Sequence, residues 1–213
     1  TTIACLLALT YITAPGLAQT RAAKPLQTAK PLQIYVVDVE GGNATLFVAP
    51  SGESLLIDTG NAGAVAAPRD AGRIMEAAKD AGLTQIDHLI ITHWHGDHFG
   101  GLVQLAKQIP IKHFYDHGPN AQPGQAADDF LKDVYPQLIA KGQHTVLKAG
   151  DQIAIAGLDV RVVTSAGMTI KTPLQGAGGP NPYCATFLKG DNNAEDPMSV
   201  GLVVALGKFR AIH

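Results

Sequence analysis

Four potential metal ligands fall within six positions, directly after a run of apolar and β-branched residues. The run "IDHLIIT" ends at Thr92, and "HWHGDH" then supplies His93, His95, Asp97 and His98. A short apolar run of this kind predicts a buried strand, and residues two apart in an extended chain point to the same side. The imidazoles of His93 and His95 can therefore converge on one metal. Asp97 and His98, at the start of the next predicted helix, point elsewhere and can hold a second metal.

The elements around this cluster predict a layered α/β domain. The segments "ATLFVAP" and "SLLIDTG" are almost continuously apolar, which predicts a hairpin whose strands are covered on both faces. Helical spacing of apolar residues predicts helices near 74–81, 102–109 and 131–138, and strand patterns return after residue 143. Residues 166–198 are rich in Gly, Pro and Asn and predict a long surface loop. This order of elements predicts two packed sheets with helices outside them.

The N-terminal segment reads as a targeting signal. In "IACLLALTYITAPGLAQT" an apolar stretch precedes small residues, as before a secretory cut after Ala18. Because a basic segment and an initiator Met are missing, we predict that residues 1–18 are a truncated signal peptide. A short buried helix or a membrane anchor is the alternative, although a bilayer span needs about 20 apolar residues. Residues 19–31 are predicted to be a flexible leader. A secreted or periplasmic protein without a stable membrane anchor after cleavage is expected.

Charge and cysteine content narrow the function classes. The chain carries 16 Lys and Arg against 18 Asp and Glu, a formal net charge of −2, and no basic run of five. This balance does not favour a nucleic-acid partner, which normally meets a basic face. Beyond the predicted signal only Cys184 remains, so no internal disulfide is expected. Its context offers no adjacent base, which favours a structural or surface thiol over a nucleophile.

Two segments carry a resemblance to a known family. "HWHGDH" resembles the H-x-H-x-D-H signature of the metallo-β-lactamase superfamily, and "LLIDTG" resembles its strand ending in Asp–Thr/Ser–Gly. The opening "VEGGNATLFVAPSGESLLIDTG" resembles the competence-protein-type (ComEC-like) branch, although the turn at 38–43 departs from that branch's Gly-rich sequence. The resemblance covers residues 32–213, and it implies an αββα sandwich and a metal-activated water.

The resemblance also implies roles for individual residues. His93 and His95 would bind a first metal, and Asp97 and His98 a second; zinc is expected, with two ions in the full-length protein, and Mn²⁺ or Fe²⁺ are alternatives. Asp97 would orient or deprotonate the water. Asp58 would hold the ligand loop through hydrogen bonds, and a strand-end turn carboxylate is the alternative for it. Surface or core histidines are the competing interpretation of the cluster.

The chain departs from the family pattern in two places. The superfamily usually supplies another His in a "GHT"-like turn, but the equivalent "VVTSAGMTI" contains none. His117, in "FYDHGPN", is a candidate ligand or substrate contact, with a turn histidine as the alternative. Ser199 is interpreted as a strand-start serine, and a position facing the site is the alternative. The bridging Asp and the last His are expected beyond residue 213, so the domain is expected to be incomplete at its C-terminus and impaired.

These observations predict a metal-dependent hydrolase that acts on an ester, a phosphodiester or a related bond of a small molecule. A non-catalytic metal-binding domain of the same fold is the alternative, because the third His is absent. A nucleic-acid-processing nuclease ranks lower, because the chain lacks a basic cluster. The oligomeric state and the identity of the substrate are left open by the sequence.

Overall fold

The structure, a computed structural model, describes residues 30–186 and 194–213. The predicted signal peptide at 1–18 lies outside the described residues, as does nearly all of the predicted leader at 19–31. No helix within the described part of the chain is long and apolar enough to cross a membrane.

The first sheet has six strands in the order of the chain. The second strand is antiparallel to both the first and the third, and the remaining three run parallel to the third. The predicted hairpin is therefore confirmed. The strands are β1 (Gln33–Val36), β2 (Thr45–Val48), β3 (Ser54–Ile57), β4 (Ile86–Ile90), β5 (Ile111–Asp116) and β6 (Gln143–Val146).

Helices cover one face of this sheet because their apolar residues recur at helical spacing. Ala71, Ile74 and Ala78 form the buried side of the longest helix, and Gly82 follows its end with a φ of +71° that suits glycine. The last helical segment contains one π-helical stretch, Phe130–Val134. The helices are α1 (Ala66–Asp80), α2 (Gly96–Phe99), α3 (Leu102–Leu105), α4 (Gln125–Asp129) and α5 (Tyr135–Ile139).

The second sheet is antiparallel and packs on the other face of the first. Its strands follow the order β11-β10-β8-β7, and the short β9 pairs with β8. Two 3₁₀ helices, Pro182–Thr186 and Asp196–Met198, lie between β9 and β10. The strands are β7 (Gln152–Ile155), β8 (Leu158–Ser165), β9 (Met168–Thr169), β10 (Gly201–Leu206) and β11 (Phe209–Ile212).

Alternation along the strands divides the core in two. Leu56 of β3 faces the helices, whereas its neighbours Leu55 and Ile57 face the second sheet, where they meet Val160 and Val162. The result is helices on one sheet and that sheet on another, which confirms the predicted mixed α/β class. A helical layer on the far side of the second sheet, implied by the αββα resemblance, is not among the described residues.

The predicted surface loop at 166–198 is wrong at its C-terminal end. Glu195 is fully buried, and the segment that follows it is tied into the structure by the hydrogen bond from Val200 N–H to the carbonyl of Thr92. The parallel strands position the rest of the site: Asp58, His93 and His117 follow β3, β4 and β5 at the same edge of the sheet. The carboxyl edge of a parallel sheet is where α/β proteins tend to bind ligands.

Candidate metal centre

Three side chains bring one donor atom each to a common point. His93 Nε2 lies 3.2 Å from His95 Nδ1, and Asp196 Oδ1 lies 3.4 Å from the first nitrogen and 3.0 Å from the second. His93 is buried, His95 is about one-third exposed, and Asp196 closes the group from the solvent side with 73% of its side chain exposed. Such a group can hold a metal ion.

The spacing of these atoms fits a divalent metal. Nitrogen and oxygen ligands bound at about 2.0–2.1 Å in a tetrahedron lie about 3.3 Å apart, close to the three separations seen here. Two imidazoles and one carboxylate form a donor set that catalytic zinc sites use, with the fourth position left to water or substrate. Iron and manganese accept the same donors. The residues present therefore fit a metal, and His93, His95 and Asp196 would hold it.

The outer ring nitrogens, His93 Nδ1 and His95 Nε2, are hydrogen-bonded to protein side chains. The inner nitrogens, His93 Nε2 and His95 Nδ1, therefore keep their lone pairs. Thr92 Oγ1 donates to Asp58 Oδ2 at 2.7 Å, so it can accept the Nδ1 proton of His93, which lies 3.1 Å away. His95 Nε2 lies 3.2 Å from Gln122 Oε1, which only accepts. This pattern selects the tautomers with a lone pair on His93 Nε2 and on His95 Nδ1, the two atoms that face Asp196.

Asp58 organises the ligand loop from beneath. Its backbone has a φ of +62°, an uncommon conformation that aspartate tolerates, and its fully buried carboxylate accepts hydrogen bonds from the Thr92 amide and hydroxyl. His98 Nδ1 donates to Asp58 Oδ2 at 2.7 Å, and Asn43 donates to the same oxygen at 3.0 Å. His213 Nε2 lies 3.3 Å from the Asn43 amide. The Asp58 carboxylate thus holds His98 Nδ1, so His98 Nε2 points away from Asp58.

Asp97 and His98 form a second pair beside the first group. Asp97 Oδ2 lies 3.7 Å from His98 Nε2, and the Asp97 side chain is 44% exposed. The His93 and His98 rings are stacked at an angle, with centroids 3.9 Å apart. The structure therefore places the two predicted ligand pairs side by side but does not merge them into one donor group. Binding of a second metal by Asp97 and His98, and the catalytic role of Asp97, stay predictions.

Burial and neighbouring charges shift the pKa values of His93 and His98 in opposite directions. Burial, with the neighbouring His98, lowers the pKa of His93 to about 4, so this ring is neutral at neutral pH and free to bind a metal. Burial alone would lower the pKa of His98, but the hydrogen bond to Asp58 and the charge of Asp58 raise it above the ordinary value. A metal that binds His98 has to displace a proton that Asp58 helps to retain.

Two glycines explain how the loops around the cluster approach so closely. A Cβ atom on Gly42 would lie 2.1 Å from the carbonyl oxygen of Asp97, and a Cβ atom on Gly100 would lie 1.9 Å from the amide nitrogen of Ala62. The backbone of Asn43 also donates to the Asp97 carbonyl at 3.2 Å. The glycines that flank the ligand residues in the sequence are therefore required by packing.

The sequence did not reveal Asp196 or Glu195 as members of the site. Both lie in the segment interpreted as a surface loop, and Glu195 bonds to Trp94 across a separation of 101 residues. The available signal was the adjacent pair of carboxylates in "EDPMSV" ahead of a strand, but no local spacing rule connects it with "HWHGDH". Ser199, predicted to be a strand-start serine, ends the 3₁₀ helix two residues before β10, donates to the Asp196 carbonyl at 2.7 Å and closes the turn that carries this aspartate.

His117 lies behind the donor group, and its role as a ligand or substrate contact stays a prediction. Its side chain is only 1% exposed, and its Nε2 donates to Glu195 Oε1 at 2.5 Å. The ring packs beside Trp94 with centroids 6.1 Å apart. Because the buried carboxylate accepts the hydrogen bond of the ring and the interior covers the ring, His117 contacts Glu195 and not the three-donor group.

Sequence relatives place this arrangement in a known family. The profile described as the metallo-beta-lactamase superfamily matches residues 37–169, more than half of the chain. Thioesterase pkgB of Emericella nidulans is 36% identical over 86 residues, which are 40% of this chain and 23% of that protein. Atrochrysone carboxyl ACP thioesterase dmxR1 of Cryptosporiopsis sp. is 33% identical over 107 residues, which are 45% of this chain and 32% of that protein. The chain thus matches about a quarter to a third of the length of these relatives.

Solved structures agree on the fold. A metallo-beta-lactamase of Cronobacter sakazakii with a mutated HARLDQ motif superposes with a TM-score of 0.50 at 17% identity, over 87% of this chain and 63% of that chain. At this identity the likeness concerns the fold alone. The residues that the family profile matches, 37–169, include the whole "HWHGDH" segment, whereas Asp196 lies beyond them. By this match, the chain belongs to the metallo-β-lactamase superfamily, a family of hydrolases.

Proposed function

We propose that the protein is a metal-dependent hydrolase whose metal is held by His93, His95 and Asp196. The observation that carries the proposal is the mutual spacing of 3.0–3.4 Å among three donor atoms whose histidine tautomers are fixed by Thr92 and Gln122. A divalent metal bound there would lower the pKa of water from 15.7 to about 7 and polarise a carbonyl or phosphoryl oxygen.

The chain's own residues supply the remaining requirements of hydrolysis. The Asp97 carboxylate lies next to the histidine cluster and is partly exposed, so it can accept a proton from an attacking water or pass one to a leaving group. His93, kept neutral by burial, holds its lone pair without competition from protons at neutral pH. Asp58 keeps Thr92 and His98 fixed while these events take place.

A thioester or ester of a small acyl group is the substrate class that we favour. Two of the relatives are named thioesterases, and a polarised carbonyl oxygen is what a metal site of this kind activates. A phosphodiester stays the second choice for the same chemistry. Membership of the ComEC-like branch, a secreted or periplasmic location and a second metal at Asp97 and His98 complete the proposal for the whole protein.

Metal content and turnover test this proposal together. We expect the purified protein to bind at least one zinc per chain and to hydrolyse a generic acyl thioester, and we expect Asp196→Ala to reduce both. Asp159→Ala is the matched control, because Asp159 is an exposed aspartate that pairs with Arg161 on the second sheet. Wild-type protein with less than one bound metal, or equal loss in both variants, would refute the proposal.

A non-catalytic metal-binding domain is the alternative, since the third imidazole of the family pattern is absent from residues 162–170. Asp97→Ala separates the two possibilities. If the protein is an enzyme, this change should abolish most metal-dependent turnover while the first metal stays bound to its three ligands. Metal binding without turnover on thioester, ester and phosphodiester substrates, in wild type and variant alike, would establish the binding-only function.

A further inference from the structure

Besides Asp58, Glu195 is the one fully buried acidic residue, within the described ranges, that contacts the metal-ligand motif without belonging to it. Its Oε1 accepts a hydrogen bond from the Trp94 amide at 2.9 Å and from His117 Nε2 at 2.5 Å, and its Oε2 accepts one from the Ala121 amide at 2.6 Å. Removing a carboxylate from water is costly unless such donors replace the lost hydration. Three donors from two loops do so here, and both loops border the donor group.

The hydrogen bond from the Trp94 amide to Glu195 acts on the backbone that carries two of the three donors. Trp94 stands between His93 and His95 in the sequence, so a hydrogen bond to its amide fixes the backbone that carries both imidazoles. On the other side, Glu195 is the neighbour of Asp196. The same carboxylate therefore ties the segment that carries the third donor to the segment that carries the first two.

The Asp196 turn is held at a second point as well. Val200 N–H donates to the Thr92 carbonyl at 2.9 Å, so residues 92–94 are joined by one hydrogen bond to each end of the segment 195–200. Within the turn, Met198 N–H donates to the Glu195 carbonyl at 2.9 Å and Ser199 Oγ to the Asp196 carbonyl at 2.7 Å. Asp196 itself is 73% exposed, and burial does not restrain its side chain.

We infer that Glu195 is a positioning residue that sets the distance between Asp196 and the two histidines, and so determines the metal affinity of the three-donor group. The inference rests on the proposed metal site for its affinity prediction. The clasp itself, defined as Glu195 with Trp94, His117 and Ala121, rests only on hydrogen bonds and predicts a measurable property of the metal-free protein.

Glu195→Gln is the decisive variant, because it keeps the shape of the side chain and one acceptor oxygen while it turns an amide group toward a backbone donor. Asp116→Asn is its matched control. Asp116 is also a buried carboxylate with three donors, namely the Gly118 amide, the Tyr135 hydroxyl and His144 Nε2. Glu195→Ala is the harsher change, and circular dichroism and urea unfolding of every variant identify those that fold.

Three readouts are measured on the full chain. Competition with a chromogenic chelator gives the affinity for Co²⁺, and the visible spectrum at saturation reports the ligand set. Amide hydrogen exchange and fluorescence at Trp94, the only tryptophan of the chain, report the clasp in metal-free protein. We expect Glu195→Gln to weaken Co²⁺ binding about 10-fold and Glu195→Ala about 100-fold, as for residues that orient metal ligands. The saturated spectrum should stay unchanged, and exchange at the Trp94 amide should be faster.

The controls distinguish this role from general destabilisation and from failure of the proposed function. Asp116→Asn should keep Co²⁺ affinity within about twofold of wild type, because none of its donors belongs to residues 92–98 or 195–200. Equal weakening by Asp116→Asn, or wild-type affinity and Trp94 exchange in Glu195→Gln, would overturn the inference. If the wild type binds no Co²⁺, the proposed function fails, and the clasp is still supported by faster Trp94 exchange in Glu195→Gln or overturned by unchanged exchange.

Discussion

Two histidine clusters lie near the parallel strands of the first sheet, and they differ in what their nitrogens do. In the candidate metal centre, His93 Nε2 and His95 Nδ1 face each other across 3.2 Å, a distance at which two lone pairs repel unless a cation or proton lies between them. In the second cluster, His88 and His113 share the hydroxyl of Tyr115, which lies 3.1 and 3.0 Å from their Nδ1 atoms.

The second cluster is satisfied by its own neighbours. His88 and His113 are paired in register on β4 and β5, and the outer nitrogen of His113 lies 2.9 Å from Thr145 Oγ1. The His113 and Tyr115 rings stack with centroids 4.0 Å apart. His88 and His113 line a cleft of about 920 Å³, but within the described residues no carboxylate completes a donor group of three with them.

The difference shows which property identifies a ligand cluster. Both groups contain histidines on adjacent strands or at strand ends, so residue type and strand placement do not separate them. In the first group the outer nitrogens are bonded and the inner ones converge on a carboxylate, whereas in the second the inner nitrogens are already used by a phenol. Convergence of free lone pairs, and not the number of histidines, predicts metal binding.

Replacing one histidine in each cluster gives the largest expected difference in zinc affinity. We expect His93→Ala to weaken binding of the first zinc by at least about 100-fold, because it removes a ligand and not merely a residue that orients one. His88→Ala, on the preceding strand, should leave zinc affinity within about twofold. Zinc competition titrations of both variants measure this, with circular dichroism as the control for folding. Equal zinc affinities in the two variants would break the distinction between the clusters.

Asp58→Asn sharpens the comparison within the metal centre. Its side chain can still accept the Thr92 amide hydrogen bond, but its amide group can donate to His98 Nδ1 and so no longer fixes the tautomer that leaves a lone pair on Nε2. We expect the first zinc to bind with an affinity within about tenfold of wild type, and a second zinc equivalent at Asp97 and His98 to bind about 10–100-fold more weakly. Isothermal titration with both equivalents resolves the two events. Loss of the first site with retention of the second would reverse the assigned roles.

Much of the fold was accessible from the sequence because local patterns specify it. The apolar strands, the face of the first helix with Ile74 and Ala78, the glycine at position 82 and the β-hairpin all follow from period and turn chemistry, and the structure has them. The "HWHGDH" segment and its relation to β4 were likewise local. These features share one property, namely that the residues that define them lie within one element of the chain.

The rest depended on contacts between distant segments. Asp196 and Glu195 reach His95 and Trp94 only because β10 pairs with β8 and begins beside Thr92, which no short spacing predicts. His117 looked accessible because it follows a strand end, yet Glu195 and the tryptophan ring cover it. Whether a histidine is a ligand or a buried support was therefore decided by tertiary packing.

Tyr115→Phe tests whether the second cluster serves stability alone. The change removes the hydroxyl that both imidazoles share and leaves two half-buried ring nitrogens short of a partner, which should lower the free energy of unfolding by about 1 kcal/mol. Zinc affinity should stay within about twofold of wild type. Urea unfolding of metal-free protein and a zinc titration give the two numbers. A variant as stable as the wild type, or one with impaired zinc binding, would contradict a purely structural role.

The pH dependence of stability gives the smallest and most specific difference. Burial, with Lys112, lowers the pKa of His88 below its ordinary value, and Asp87 and Glu53 only partly oppose this. The unfolded chain therefore binds the proton more readily, so the stability linked to His88 is complete above the ordinary pKa of about 6.5 and is lost as pH falls toward the lower, folded-state value. We expect the free energy of unfolding of metal-free protein to fall less steeply between about pH 7 and 5 in His88→Gln than in wild type. Because His93 titrates in both proteins, the difference between their slopes isolates His88, and identical slopes would show that the second cluster does not contribute to acid sensitivity.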